Sequence, residues 1–505
     1  MRGKTRKKIA ISMSTAKMSQ HRRLGQLHLT LLAIGIASTL VESSLAESSG
    51  AHDSNSNSSL PVGCFADGLE FSLNLTGVGL KSLPEGFVEN EYLTRLTLDD
   101  NQITSVSTKT FSSAPNISHL SLANNKLASL NLQPFSELEN LKTLILNGNC
   151  KSRSTADHTG YTRYVYIKTR LYDAENSCSF QFDANLTSLE RLIAEENSLQ
   201  RLSFSSGKLP SLKYLHLANN QLVMDPDTTI GLSKSAPILS HVYLNRSGII
   251  DFEASHLQNM TALYLDDNEI RSICNENCEA SSLKLRQARK LETLSVARNH
   301  ISKIEINAFN YTTDLTTLDL SGNKISDIRE GTFDKLNNLR SLSLERNNIV
   351  KLGTFHIFRG LLNLKTLSLG RNNISSLGAG AFENLVALET LTLDNNGLSR
   401  IESGTFSNLT NLKRISLAGN QLSAIPEGSM PTGGTLVILD LDDNKFTSVE
   451  HISITNAPRM LSLSLKDNPL ARMSSSWFAT VPRNLDIVLG NSCYAELQNK
   501  SASHH

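Results

Sequence analysis

The apolar positions of this chain recur in one frame. Writing L for any apolar residue, LxxLxLxxNxL begins at Leu93, with Leu96, Leu98, Asn101 and Ile103 in place. The frame returns at Ile117, Leu141, Leu189, Leu212, Leu239, Met260, Leu291, Leu315, Leu339, Leu364, Leu388, Leu412, Leu436 and Met460. Most returns are 24 residues apart, and from Leu364 to Met460 the interval is constant. A phenylalanine falls eighteen residues into many frames, at Phe111, Phe135, Phe309, Phe333, Phe382, Phe406 and Phe478. The LxL alternation predicts a short strand with one buried edge. A single coil cannot bury that edge alone, so Leu315, Leu318, Leu320 and Ile325 must stack on their counterparts in neighbouring coils. Asn323, Asn347, Asn372, Asn396, Asn420 and Asn444 then point inward, where an amide satisfies backbone groups at the turn between coils. Ser247 replaces that asparagine in one frame and predicts a looser coil.

Over nearly all of residues 64–490 the pattern resembles the 24-residue extracellular leucine-rich repeat of Toll-like and Slit-like ectodomains and small leucine-rich proteoglycans. It lacks the Gly-x-Ile-Pro signature of the plant receptor type. The resemblance implies an α/β-type repeat solenoid, a curved horseshoe. A parallel β-sheet would line its concave face, with loops, short helical turns and the recurring phenylalanines on the convex side. Cys64 and the half-fitting frame Glu70, Leu73, Leu75, Leu80 suggest an N-terminal capping repeat over 64–92, ahead of a solenoid over 93–483. Ile487 and Leu489 continue the register into a C-terminal cap and polar tail, 484–505. Both caps depart from the family, whose flanking modules usually carry two or more cysteines each.

Irregularity marks where recognition loops belong. The gap from Leu141 to Leu189 is two periods, yet a frame placed at Val165 puts Lys168 and Arg170 where leucines belong. Residues 150–183 are therefore an insertion that replaces a coil or bulges from it, and they carry Tyr161, Tyr164, Tyr166 and Tyr172. Regular spacing returns only at Leu291. At the outward position between the two inner leucines, the later coils offer Ser295, Asp319, Ser343, Ser368, Thr392, Ser416, Asp440 and Ser464. The irregular coils offer Ile193, His216, Tyr243 and Tyr264 there, with Arg191, Tyr214 and His241 two positions earlier. Adjacent strands lie about 4.8 Å apart, so Arg191, Tyr214, His216, His241, Tyr243 and Tyr264 are expected to form one ligand-binding patch on the concave face. Tyrosine and arginine anchor interfaces because they give large contact area at low entropic cost. The plainer alternative is a cross-strand aromatic ladder that only stabilises the sheet. His216 and His241 also raise a pH-sensitive role.

Charge and cysteines narrow the setting. Net charge is +1, which leaves no electrostatic footprint for nucleic acid and argues against it as a partner. A basic stretch (Arg2, Lys4, Arg6, Lys7, Lys8, Arg22, Arg23) precedes the apolar run Leu27 to Val41, and Ser44 and Ala46 suit a cut before Glu47. Residues 1–46 are thus expected to be a signal peptide or an uncleaved signal anchor, followed by a Ser/Asn-rich linker over 47–63. Either version places the body outside the cell, secreted or held at the plasma membrane. Of six cysteines, Cys150 with Cys178 and Cys274 with Cys278 are the economical disulfides, while Cys64 and Cys493 lie at opposite ends. Sequons at Asn74, Asn116, Asn185, Asn245, Asn259, Asn310, Asn373 and Asn408, besides Asn57 and Asn499, permit glycosylation.

The pattern contains no H-E-x-x-H, G-x-S-x-G, phosphate-loop or dinucleotide fingerprint. The Leu-Asp-Asp-Asn runs at Asp99, Asp266 and Asp442 lack the glycine and terminal glutamate of a calcium loop, and are expected to be solvated acids on the strand face. No metal, no cofactor and no catalytic residue are expected. The leading expectation is an extracellular, receptor-like module that binds a protein or peptide, in concert with a membrane co-receptor. A structural or adhesive matrix protein and an inhibitor of a secreted enzyme are the alternatives.

Overall fold

Each frame closes into one coil, and each LxL becomes a short strand, which in every frame after the first is three residues long with its middle side chain entering the core. In Thr317–Asp319, Leu318 is buried while its two neighbours remain half-buried on the outer face. The computed structural model describes residues 9–11, 71–150 and 178–490, except 205–207, 277, 353–355, 379, 456, 472 and 474. Cys64, Cys493, the linker and the four insertion tyrosines lie outside the described residues, as does the leader apart from Ile9–Ile11, which pairs in parallel with Phe71–Leu73.

Two compact units divide the chain: residues 1–222 with 230–239, and residues 223–229 with 240–505. In the first, Phe71–Asn74, Leu93–Thr97, His119–Ser121, Thr143–Ile145, Arg191–Ile193 and Tyr214–His216 follow one another in a parallel sheet. The strand before the insertion pairs directly with the strand after it, Thr143 opposite Arg191. The end of the insertion, Cys178–Phe182, joins Leu130–Asn131 and Leu199–Phe204 in a second small parallel sheet. There Phe182 packs on Phe180 and Phe204 with ring centroids 5.0 and 4.9 Å apart.

In the second unit, eleven parallel strands run from His241–Tyr243 through Ala262–Tyr264 and Thr293–Ser295 to Asp486–Val488, each one coil from the last. Helix is sparse among the described residues, its longest stretch being Pro226–Ser235. Asp225 caps that helix by accepting from Thr228 N at 2.8 Å, with proline in the first helical position. Gly231 is required there, because a Cβ would come within 2.3 Å of the Phe204 ring.

The asparagines close the coils. Asn347 Oδ1 accepts from Ile325 N at 3.0 Å, while its Nδ2 donates to Leu320 O at 3.0 Å in the preceding coil and to Leu344 O at 3.1 Å in its own. The same arrangement recurs at Asn372, Asn396, Asn420 and Asn444. Carbonyls in a turn too tight to pair with other backbone are thereby satisfied. The coil at Ser247 is closed, against the expectation of looseness. Ser247 is fully buried and donates to Asn245 O at 3.2 Å, and Asn268 Oδ1 accepts from both Ser247 N and Ile249 N.

On the far side Phe111, Phe309, Phe333, Phe382 and Phe406 are buried, Phe382 stacking 5.8 Å from Phe406. Phe478 departs from the expected spacing: it is 46% exposed, and Trp477 is buried in its place, donating from Nε1 to Ile452 O at 3.0 Å. The indole has a polar N–H that finds a free carbonyl, which a phenyl ring cannot do.

Candidate functional site

Counting the first leucine of each frame as position 1, side chains leave the sheet at positions 2, 3, 5, 7 and 8, since 1, 4, 6 and 9 are occupied by the core. The six residues singled out from sequence occupy positions 3 and 5 and fall into two groups, one in each unit.

In the first unit, parallel register sets Tyr214 beside Arg191 and His216 beside Ile193. The Arg191 guanidinium lies over the Tyr214 ring, 4.8 Å from its centroid, a cation–π contact that holds a long side chain against the face. His216 Nδ1 is 3.5 Å from Glu195 Oε1. The same row of position-3 residues continues through Thr143 and His119 to Arg95. Arg95 and His119 were missed from sequence, although they share a frame position with Arg191.

In the second unit, Tyr243 pairs with Tyr264 and His241 with Ala262. The two tyrosine rings are 4.7 Å apart at their centroids and 4° from parallel, both half-buried. His241 Nδ1 lies 2.9 Å from Ser240 Oγ. Beyond Tyr264 the row turns to small hydroxyl and carboxylate residues, Ser295, Asp319 and Ser343.

The paired acids are not simply solvated, which corrects the expectation. Asp99 Oδ1 accepts from Ser121 Oγ and from Ala123 N at 2.8 Å. Asp266 repeats this with Ser295 and Ala297, and Asp442 with Ser464 and Lys466. Each carboxylate clips one coil to the next. The signal in the sequence is a position-7 aspartate followed one coil later by a position-5 serine. Asp267 is held below the usual carboxylate range, chiefly by a hydrogen bond from Arg298 and with Arg246 also close. Burial pushes Asp440 upward, and the charge of Asp442 adds to it.

Cys150 is bridged to Cys178 and Cys274 to Cys278, with Cα atoms 6.0 and 5.9 Å apart. Among the sequons, Asn74, Asn116, Asn185, Asn310, Asn373 and Asn408 are exposed, whereas Asn245 and Asn259 are half-buried. Among the described residues no group of three His, Cys, Asp or Glu side chains could hold a metal ion, and no helix is long and apolar enough to cross a membrane.

A family model, leucine rich repeat, matches residues 91–150, 289–349, 355–398 and 387–430. The chain is a leucine-rich-repeat protein. A comparison with curated protein sequences found no match. Among solved structures, this leucine-rich-repeat chain is similar to a leucine-rich-repeat protein of Leptospira interrogans, at TM-score 0.57 and 22% identity, over 82% of this chain and 94% of that one. It is also similar to a chain of the Drosophila Toll–Spatzle complex, at TM-score 0.60 and 16% identity, over 84% of this chain and 58% of that one. The TLR13–ssRNA13 complex matches at TM-score 0.45 and 22% identity, over 83% of this chain and 73% of that one. None of these comparisons supports the exclusion of nucleic acid drawn above from net charge.

Proposed function

We propose that this leucine-rich-repeat protein is an extracellular recognition module that binds a protein or peptide ligand with the outward side chains of its sheets. The observation that carries the reading is the stacked Tyr243–Tyr264 pair, a rigid aromatic surface held half-exposed on adjacent strands. Together with His241 it forms the anchor of the second unit; Arg191, Tyr214 and His216 form that of the first. Aromatic side chains lose little freedom on binding, and Arg191 is already held over the Tyr214 ring, which favours both as anchors. The two disulfides and the exposed sequons suit an oxidising, glycosylating compartment. A membrane co-receptor would carry any signal inward, and no catalytic step belongs to this reading.

A second reading has its own observation. From Thr293 to Ser464 the outward row is almost entirely hydroxyl or carboxylate and repeats with little change, which suits a repetitive structural or adhesive contact. Cross-linking of the secreted full chain to an extracellular extract, with Tyr214→Ala/Tyr243→Ala in parallel, separates the two. A ligand captured by the parent and lost by the folded double variant supports the anchors. Equal capture by both moves the contact to the regular coils.

A further inference from the structure

The outward charges of the first unit are sorted by side. At positions 2 and 3 of its coils from Leu93 to Leu212 stand Arg95, His119, Lys142, Arg191 and Lys213, against one carboxylate, Glu190. At positions 7 and 8 stand Asp99, Asp100, Glu195 and Glu196, with no cation. Between them, position 5 is Thr97, Ser121, Ile145, Ile193 and His216. The face is therefore a basic stripe, a largely uncharged stripe centred on the adjacent Ile145 and Ile193, and an acidic stripe. Arg95, Lys142, Arg191, Lys213, Asp100 and Glu196 are all exposed.

Nothing in the coil requires such sorting. Lys213 pairs with Glu190 in the first unit, but in the second the same positions mix their signs and pair repeatedly: Arg246 and Arg298 on Asp267, Arg346 and Arg371 on Glu345, Lys365 and Lys413 on Glu389. Keeping like charges together on neighbouring coils sets them against one another, and sorted charges of this kind orient and select a partner.

We infer that the first unit seats an α-helix of a partner protein, laid across its strands, with acidic residues along one flank, apolar residues along the middle and basic residues along the other. This deepens the sheet-face reading and rests on it. Width selects the helix. Positions 3 and 7 are four residues apart, roughly 13 Å along an extended strand, and an α-helix with its side chains is about 10–12 Å across. An extended peptide is too narrow to reach both charged stripes at once. Length follows from the coils: five strands about 4.8 Å apart span roughly 19 Å, or about 13 helical residues.

Three synthetic helical peptides of that length test it against the full chain by fluorescence polarisation. The first carries a leucine stripe flanked by glutamates on one side and lysines on the other; the second interleaves the same charges on both flanks; the third has lysines on both. The protein is expected to bind the first at least tenfold tighter than the others, with affinity falling as salt rises. Arg95→Glu/Lys142→Glu/Lys213→Glu, all exposed and with thermal unfolding measured alongside, sets four carboxylates against Arg191 and His119 in the former basic stripe and is expected to transfer the preference to the third peptide. Equal binding of the first two, binding of none, or a folded variant that still prefers the first overturns the inference. Failure of the underlying reading shows separately, as equal capture of a native ligand by the parent and by Tyr214→Ala/Tyr243→Ala.

Discussion

The ring of Tyr243 stacks on that of Tyr264 at 4.7 Å, within 4° of parallel. Their strands are joined in direct register, so the stack is held by the backbone ladder below it and stays half-exposed. An aromatic cross-strand pair contributes about 0.2–1 kcal/mol to a sheet, far less than a tyrosine anchor contributes to a protein interface.

Truncating this pair should therefore separate binding from folding. Tyr243→Ala is expected to weaken ligand binding by at least about 2 kcal/mol, roughly thirtyfold, while costing no more than about 1 kcal/mol in stability. Titration calorimetry with the captured ligand and urea unfolding give the two numbers. A large stability loss with affinity intact would make the stack a sheet fastener only.

Removing a closing amide should do the reverse. Asn347→Ala removes the acceptor of the buried Ile325 N–H and one of the two amide donors to Leu320 O and to Leu344 O, which keep those of Asn323 and Asn372. A loss of about 1–3 kcal/mol is expected from the buried N–H left without an acceptor, read as a lower denaturant midpoint. A cost below about 1 kcal/mol would show that water or a shifted backbone replaces the amide.

Two aspartates should respond to pH with opposite sign. The pKa of Asp267 is lowered, so its stabilisation is present above the unfolded carboxylate value and is lost as pH falls through the folded one. Asp267→Asn should cost about 0.5–1 kcal/mol at neutral pH, because Arg298 is well exposed to solvent screening, and little in acid. The pKa of Asp440 is raised by burial, so the unfolded chain ionises first as pH climbs and the penalty persists at neutral pH. Asp440→Asn should accordingly raise the melting temperature at pH 7 and leave it unchanged at pH 2. Parallel melting curves at the two pH values would expose the wrong sign in either case.

The two disulfides should differ in worth. They close stretches of 28 and 4 residues in sequence separation, for which chain entropy gives about 3–4 and about 2 kcal/mol respectively. Cys150→Ser/Cys178→Ser is expected to unfold at lower denaturant than Cys274→Ser/Cys278→Ser, and the opposite order would show that the short bridge holds native structure directly.

Much of the fold is legible in the sequence because the coil interface repeats: Leu318, Leu320, Asn323 and Ile325 meet the same neighbours in coil after coil, and the period states the contact. The rows of outward residues follow from it, including the register that sets Tyr214 beside Arg191. What escaped depends on side-chain choice rather than period. Trp477 displaces Phe478 because its N–H reaches Ile452 O, a contact no spacing encodes. The Asp99, Asp266 and Asp442 clips need residues in two coils to be read together. The sorted charges of the first unit lie at positions 2, 7 and 8 as well as 3, and attention to positions 3 and 5 alone hides them.

The asparagine bonds also bear on how such a chain can change length. Asn396, Asn420 and Asn444 each donate 27 residues back, to Leu369 O, Leu393 O and Leu417 O, so one coil ends where the next begins with the same donor and acceptor. Duplication or deletion of a whole period rejoins identical surfaces and moves the flanking coils by about 4.8 Å. Coils of other lengths keep the same bond, Asn268, Asn372 and Asn299 donating 24, 28 and 34 residues back, but only with the remainder of the coil rerouted. Coil number in this stretch is thus free to drift under inheritance in unit steps, while the irregular coils before it, each matched to one neighbour, are not interchangeable.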